Sequence, residues 1–258
     1  MRIAYMDRRL IMRYTINGFE YVSVTELIGQ IAKGDPFYKW IGQQALETGK
    51  ADGYKEYRDN TADIGSEVHR LIELYVQSCI DNSHELVYIP KISLHDYSEQ
   101  VQRMFQSWID WKIKNVKRFL FSEITVVHEF LCYAGTLDCI YVNHQDEICL
   151  CDWKTKDGIY PEDGLQVVAY KNAFENMEGD YKITKKYSPE YTQSIETFKI
   201  DRVHMLTIPR EKAFDESIHF VDFTEKIAPY TRSIEGLLIY FYTLKSRRMK
   251  NYRAQDRC

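Results

Sequence analysis

Asp138, Asp152 and Lys154 are the residues whose types and spacing carry the most chemistry in this sequence. The segments Gly135-Thr136-Leu137-Asp138 and Asp152-Trp153-Lys154-Thr155 flank a polar stretch, Asn143-His144-Gln145-Asp146-Glu147. Residues paired in a symmetric antiparallel hairpin lie equally far from its tip. Both aspartates lie equally far from Gln145, so they are expected to face each other across a ladder, with Cβ atoms about 5 Å apart. Like charges at that separation repel, and the neighbouring strand residues are apolar. Such a pair shares a proton or holds a cation. Alternation puts Ile148, Leu150, Asp152 and Lys154 on one face, so a basic residue joins the two acids. Two carboxylates and a backbone carbonyl suit a hard, oxygen-seeking ion such as Mg²⁺ or Mn²⁺. A lysine beside them can orient a water or help to deprotonate it. The competing reading of a D-x-K tripeptide is a solvated face on an edge strand. The opposed aspartate and the preceding Gly-Thr argue against it, provided the register carries no one-residue slip.

The flanking sequence supplies elements that can hold such a pair. Residues 14–24 read as a short hairpin turning at Asn17-Gly18, the strongest short hairpin signal, with Thr25 as the N-cap of a helix through Leu27, Ile28 and Ile31. Residues 62–79 are an amphipathic helix, with Ile64, Val68, Leu71, Ile72 and Tyr75 at helical spacing. Residues 81–93 are a polar loop, and residues 97–117 form a second long helix. The period then changes: residues 119–130, 132–142 and 147–153 read as three successive strands. A helix over 161–177 follows, with proline in its first turn. Residues 179–199 look like a polar insertion, 200–209 like a further strand, and 223–244 like a helix before a basic tail. Three strands, a helix and another strand, flanked by helices, make an α/β sandwich around a mixed sheet.

Composition bounds the partners. The chain has 258 residues, 45% hydrophobic and 28% charged, enough apolar material for a real core. The 34 Lys and Arg against 38 Asp and Glu leave a net charge of −4. That excludes a general basic coat, so a polyanion must be held by a local patch or through metal ions. The six cysteines form no C-x-x-C pair, which argues against zinc knuckles and iron–sulfur sites. Four of them sit in apolar, strand-like runs, where free Cys packs as a small hydrophobe, as in a reducing compartment. No apolar run is long enough to span a membrane, and the N-terminus lacks the pattern of a secretory leader. Membrane contact is therefore not expected, and a cytoplasmic location is.

These motifs resemble the PD-(D/E)XK nuclease superfamily, in particular its RecB-type branch, which includes the mitochondrial genome maintenance exonucleases and their phage and bacterial relatives. The resemblance rests on G-T-L-D at 135–138, D-W-K-T at 152–155, and Gln166 with Tyr170 in a Q-x-x-x-Y pattern. Gly65-Ser66-Glu67-Val68-His69 resembles the branch's G-T-x-V-H helix, and Tyr21-Val22-Ser23-Val24-Thr25 its P-S-V-T segment. The match spans most of residues 14–210. The iron–sulfur cysteines of some relatives are absent, and residues 179–199 have no counterpart.

The resemblance implies a restriction-endonuclease-like core in one nuclease domain over 1–258. A hairpin and helical part would occupy 1–117, the catalytic core 118–210, and a helix with a basic tail 211–258. It implies a Mg²⁺- or Mn²⁺-dependent DNA nuclease with one or two ions and no iron–sulfur cluster. An exonuclease on single strands or DNA ends is favoured, in repair, recombination or phage DNA processing. A nuclease-fold protein that is catalytically silent, or one directed to RNA, is the alternative. By similarity Asp138, Asp152, the carbonyl of Trp153 and His69 would hold metal, and Lys154 would position the attacking water. Gln166 and Tyr170, one turn apart, would support the lysine or touch DNA, or else simply pack the helix on the sheet. Glu123 is the better placed of two strand carboxylates, ahead of Glu129, although a solvated role suits either. Lys112, Lys114, Lys117 and Arg118, and the tail residues Lys245, Arg247, Arg248, Lys250 and Arg253, form two basic patches, of which the tail is the candidate to track phosphates. Helices over 62–117 could arch over a single strand; for Tyr75, Trp108 and Trp111, core packing is preferred to stacking on bases.

Overall fold

A computed structural model describes residues 14–31, 34–82, 90–156, 158–185, 189–210 and 218–246. The chain opens with β1 (Tyr14–Ile16) and β2 (Phe19–Ser23). Asn17 and Gly18 between them both have positive φ, 51° and 82°, as the mirror-image hairpin turn requires. Helix α1 (Val24–Ile28) follows at once, capped by the Ser23 hydroxyl, which accepts the Glu26 N–H at 3.0 Å. Thr25, the cap expected from sequence, lies inside the helix; the extended residue whose hydroxyl reaches the free N–H is Ser23. Helix α2 (Asp35–Thr48), which the hydrophobic period alone did not mark, leads into α3 (Gly53–Asp81). The latter contains the expected 62–79 helix and extends it toward the N-terminus. Helix α4 (Glu99–Asn115) is capped by Ser98.

Strands β3 (Arg118–His128), β4 (Tyr133–Val142) and β5 (Ile148–Lys154) fall where the β-branched and aromatic runs place them. They are followed by α5 (Pro161–Phe174). The polar 179–199 segment is not irregular: it forms a hairpin, β6 (Gly179–Lys185) and β7 (Tyr191–Ile195). Its signal was weak because one face is buried through only Tyr181, Ile183 and Ile195. Strand β8 (Arg202–Thr207), the short β9 (His219–Asp222), a 3-10 turn at Thr224–Lys226 and α6 (Ile227–Ser246) complete the described chain.

The nine strands form one mixed, open sheet in the order β7-β6-β1-β2-β4-β5-β8-β9, with β3 paired to β4 off that path. Helices cover both faces, so the protein is α/β. On one face Leu27, Val168, Phe174 and Leu238, from α1, α5 and α6, bury against the sheet. On the other, Val68, Leu71, Trp108 and Trp111, from α3 and α4, do the same. Trp108 stacks on Phe105 and Phe119 and meets Tyr75 edge-on, so these aromatics are core. Among the described residues no helix is long and apolar enough to cross a membrane.

Two irregularities shape the centre of the sheet. Strand β3 runs along one edge of β4. The other edge of β4 is shared: Tyr133 and Ala134 pair in parallel with β2, while Cys139 to Val142 pair antiparallel with β5. Between them β5 leaves β4 and continues along β8, from Asp152↔Met205 to Lys154↔Thr207. A fork therefore opens between β4 and β5 immediately after the Cys139↔Cys151 pair. The second irregularity lies across the fork. Tyr133 donates its hydroxyl to the Ala169 carbonyl of α5, and Gly135 abuts the Tyr170 ring. Farther along β4, Ile140 faces the α5 side while Cys139 and Tyr141 face α3 and α4. The alternation of β4 thus slips by one at Asp138. The facing register of β3, Ser122↔Cys139 and Ile124↔Leu137, brackets Glu123, whose φ is 51°.

Candidate active site and metal centre

The fork gathers acidic side chains because the strands part there and leave space that side chains fill. The Asp138 carboxylate accepts the Trp153 N–H through Oδ2 at 2.8 Å, replacing the ladder bond lost where β5 turns away. On β5, Asp152 is buried, and Lys154 places its ammonium 2.5 Å from Asp152 Oδ2. The two lie on one face, as alternation requires. Gln166 and Tyr170, one turn apart on α5, close the base of the site. The Gln166 amide nitrogen sits 3.3 and 3.4 Å from the Asp152 oxygens and 3.0 Å from the Tyr170 hydroxyl.

Helix α3 closes the site from the opposite face. Gly65 allows the approach: a Cβ there would strike the Thr155 hydroxyl at the end of β5. One turn later His69 sets Nδ1 at 4.0 Å from Asp138 Oδ1, its ring tilted against the Trp153 indole at 6.5 Å. One ligand atom each from His69, Glu123 and Asp138 lie within 4.8 Å of one another. Glu123 reaches this cluster through the kink in β3 at its positive φ.

The electrostatics follow from burial and mutual repulsion. Burial, followed by the charge of Asp138, pushes the Glu123 carboxyl up to about 8. Burial and then Asp138 push Asp152 up to about 7, against the pull of Lys154. Burial also raises Asp138, against the pull of Lys154 and the Trp153 N–H. Burial, then the nearby Lys154 charge, lowers His69 to about 4, so its imidazole is neutral at physiological pH. For Lys154 burial acts downward, but Asp152 and Asp138 outweigh it and keep the amine protonated. Carboxylates that resist ionisation and a neutral imidazole together form a donor set that a divalent cation fits, since it would supply the positive charge their environment lacks.

All the candidate residues read from the sequence, Asp138, Asp152, Trp153, Lys154, His69, Gln166, Tyr170 and Glu123, meet around this fork. Two details differ from expectation. The aspartates are not a laddered pair: pairing ends one step earlier, and Asp138 turns to the Trp153 N–H instead. Glu123 is not a solvated strand carboxylate but half-buried beside Asp138, whereas Glu129 lies at the β3–β4 turn, where its carbonyl accepts the Cys132 N–H. Gln166 and Tyr170 are buried and hold Asp152 from within. Of the first basic patch, Lys117 pairs with Asp146, and Lys112 lies over the Tyr75 and Phe119 rings. Arg247, Arg248, Lys250 and Arg253 lie outside the described residues, as does the side chain of Lys245.

Sequence reasoning missed the clamp that fixes the loop after Lys154. Asp163 takes both the Lys156 ammonium, at 2.6 and 2.8 Å, and the Tyr160 N–H at 2.7 Å. The signal was present as an acidic residue two positions after Pro161 at a helix start. Also missed was Tyr14, whose hydroxyl meets Thr136 Oγ1 at 3.1 Å.

No family model matches the chain. The chain is 32% identical over 165 residues to mitochondrial genome maintenance exonuclease 1 of Homo sapiens, covering 60% of this chain and 44% of that protein. It is 29% identical over 160 residues to the Mus musculus protein of the same name, covering 58% and 43%. The similarity thus spans less than half the length of these curated relatives.

Proposed function

We propose that the protein is a metal-dependent nuclease with a restriction-endonuclease-like core, acting as an exonuclease on DNA, on single strands or ends. The observation that carries this reading is the convergence of His69, Glu123 and Asp138 beside the Asp152–Lys154 pair in one fork. The similarity to proteins named exonucleases supports it. Hydrolysis requires a water to add to phosphorus while the bond to the leaving oxygen breaks, with negative charge growing on the phosphate oxygens. A divalent ion, Mg²⁺ or Mn²⁺, held by Asp138, Asp152, Glu123, His69 and the Trp153 carbonyl would neutralise that charge and acidify the water.

The chain's own residues do the rest. Lys154 is protonated and fixed by Asp152, so its N–H groups can orient the water and stabilise the growing charge. Asp152 is held in turn by Gln166, and Gln166 by Tyr170, so the carboxylate has one orientation. Asp138 keeps the fork open at a set width through the Trp153 N–H. The neutral His69 offers a lone pair, not a charge, to the centre.

The test uses purified protein with 5′- and 3′-labelled single- and double-stranded DNA, in Mn²⁺, Mg²⁺ or EDTA, with Asp152→Ala alongside. Metal-dependent degradation absent from the variant supports the reading, and the label that is released reports polarity. Cleavage that survives complete chelation would sink it. RNA cut in preference to both DNA forms would replace the substrate.

A further inference from the structure

The β6–β7 hairpin pairs with β1 through β6 and meets Thr125 of β3 through β7. Alternation along β6 puts Tyr181, Ile183 and Lys185 on one face. Tyr181 and Ile183 are buried in the core, so Lys185 lies on the inward face, while Lys182 is exposed on the outer one. Lys185 pairs in register with Tyr14 of β1, whose hydroxyl meets Thr136 Oγ1 on β4. Thr136 Oγ1 lies 3.5 Å from Thr125 Oγ1, and Thr125 Oγ1 lies 2.8 Å from the Tyr191 hydroxyl of β7. The Lys185 ammonium stands 5.8 Å above that same Tyr191 ring. A strip of hydroxyls therefore runs across β1, β4 and β3 to the Tyr191 ring beneath Lys185. Thr136 lies two residues before Asp138 on β4, about 7 Å along the strand, and Thr125 lies two after Glu123 on β3.

The hairpin is held firmly against β3. The Gln193 amide accepts the Thr125 N–H at 2.9 Å and donates to the Thr125 carbonyl at 2.6 Å, so the free edge of β3 is capped by one side chain. Near the fork, Lys154 is committed to Asp152 and Lys156 to Asp163. Lys185 makes no ion pair among the described residues, although its charge reaches the Glu123 carboxyl and acts to lower it. In a chain of net charge −4, a strand of phosphates needs local cations beyond the metal site.

We propose that Lys185, presented by the β6–β7 hairpin at the end of the Tyr14–Thr136–Thr125–Tyr191 hydroxyl strip, binds a backbone phosphate of a nucleic-acid strand, adjacent to the one placed in the fork. This rests on the nuclease reading and deepens it, because it sets the path of the strand beside the Glu123 side of the acidic cluster. A lysine ammonium suits the task as a compact point charge on a flexible stem, while the fully buried Thr125 hydroxyl braces Tyr191 and Thr136 from beneath.

The experiment measures binding of a fluorescein-labelled oligothymidylate by anisotropy across a salt series, in Mg²⁺, with Lys154→Ala as the cleavage-deficient parent. Lys185→Met keeps the stem over Tyr191 and removes the charge. It should weaken binding several-fold and make the plot of log affinity against log salt shallower by about 0.7, the loss of one phosphate contact on a single strand. Lys185→Arg should restore both. Lys182→Ala, an equal change in net charge on the outer face, should leave the slope at the parent's value. With Lys154 intact, Lys185→Met should raise KM several-fold while changing kcat less.

Parent-like affinity and slope in Lys185→Met, from a protein that binds and cuts, would overturn this inference and leave the nuclease reading standing. An equal loss of slope in Lys182→Ala would overturn it too, as a mere net-charge effect. A parent that binds no nucleic acid, with an intact chain that cuts none, would overturn both.

Discussion

Asp138 accepts the backbone N–H of Trp153 at 2.8 Å at the point where β4 and β5 part. One carboxylate thus both spans the fork and faces Glu123 and His69. The two roles separate by substitution. Asp138→Asn keeps an oxygen for the Trp153 N–H but removes a buried charge. It should fold at least as stably as wild type without metal and lose cleavage by more than about 100-fold. Asp138→Ala should lose cleavage equally and also leave the buried N–H unpaired, at a cost of about 1–3 kcal/mol. Urea unfolding beside the labelled-DNA assay distinguishes the two variants; equal stabilities would show that the Trp153 bond contributes nothing.

The acidic cluster should couple metal binding to stability. Glu123 and Asp152 are pushed up to about 8 and about 7 by burial and by Asp138, so at neutral pH the metal-free cluster carries unfavourable charge or excess protons. A cation relieves both. Mn²⁺ at about 100 times its Kd should add about 2.7 kcal/mol and raise Tm by several degrees over protein in EDTA. Glu123→Gln should be more stable than wild type in EDTA and respond less to Mn²⁺. Identical melting curves with and without metal would argue that no cation is held there.

Gly135 is a packing requirement. A methyl group there would meet the ring of Tyr170, which is buried and bonded to Gln166. Gly135→Ala should therefore cost about 1–3 kcal/mol by overpacking and lower kcat by displacing Gln166 from Asp152. Wild-type stability measured by denaturant unfolding would show that the ring can move freely.

His204, on β8 away from the fork, should add an acid-sensitive contribution to stability. It is buried, with Nδ1 2.9 Å from the Tyr141 hydroxyl. Burial lowers its pKa to about 4, opposed by Asp222, whose Oδ2 is 3.8 Å from Nε2, and assisted by Arg202. The unfolded chain takes up that proton below about pH 6.5 and the folded chain only near 4, so the unfolded state binds more protons between these values. The His204 contribution is then full above about 6.5 and falls as pH drops toward 4, by on the order of 3 kcal/mol. His69, lowered in the same direction, adds to the fall. Glu123 and Asp152, raised by burial, gain stability over the same interval, so the effect of His204 is read as a difference: from about pH 7.5 to about pH 5 the wild type should lose stability relative to His204→Gln. A difference that does not change with pH would show that His204 takes up no proton in this range.

Much of the fold is legible because local chemistry decides it. Asn17-Gly18 can both take positive φ, so the hairpin follows from two residues. Gln145 centres a hairpin whose register, from Val142↔Ile148 to Cys139↔Cys151, is the one that symmetry requires. Lys154 and Asp152 share a face because strand alternation has a period of two. The polar hairpin at 179–195 and the short strand β9 were illegible for the complementary reason. A strand with few buried positions has little pattern of its own, and it is a strand only because a neighbouring edge supplies its hydrogen bonds.

The sequence by itself determined which acids, lysine and histidine are available and the local elements that carry them, because propensity and hydrophobic period act over a few residues. Only the tertiary structure decided that β5 leaves β4 for β8, that Glu123 swings in through a kinked strand, and that Gln166 and Tyr170 clamp Asp152 from within. These depend on which strand captures which edge and on how closely helices approach. Gly65 against Thr155 and Gly135 against Tyr170 show the same dependence. Such contacts join residues far apart in the chain, and no short-range pattern encodes them.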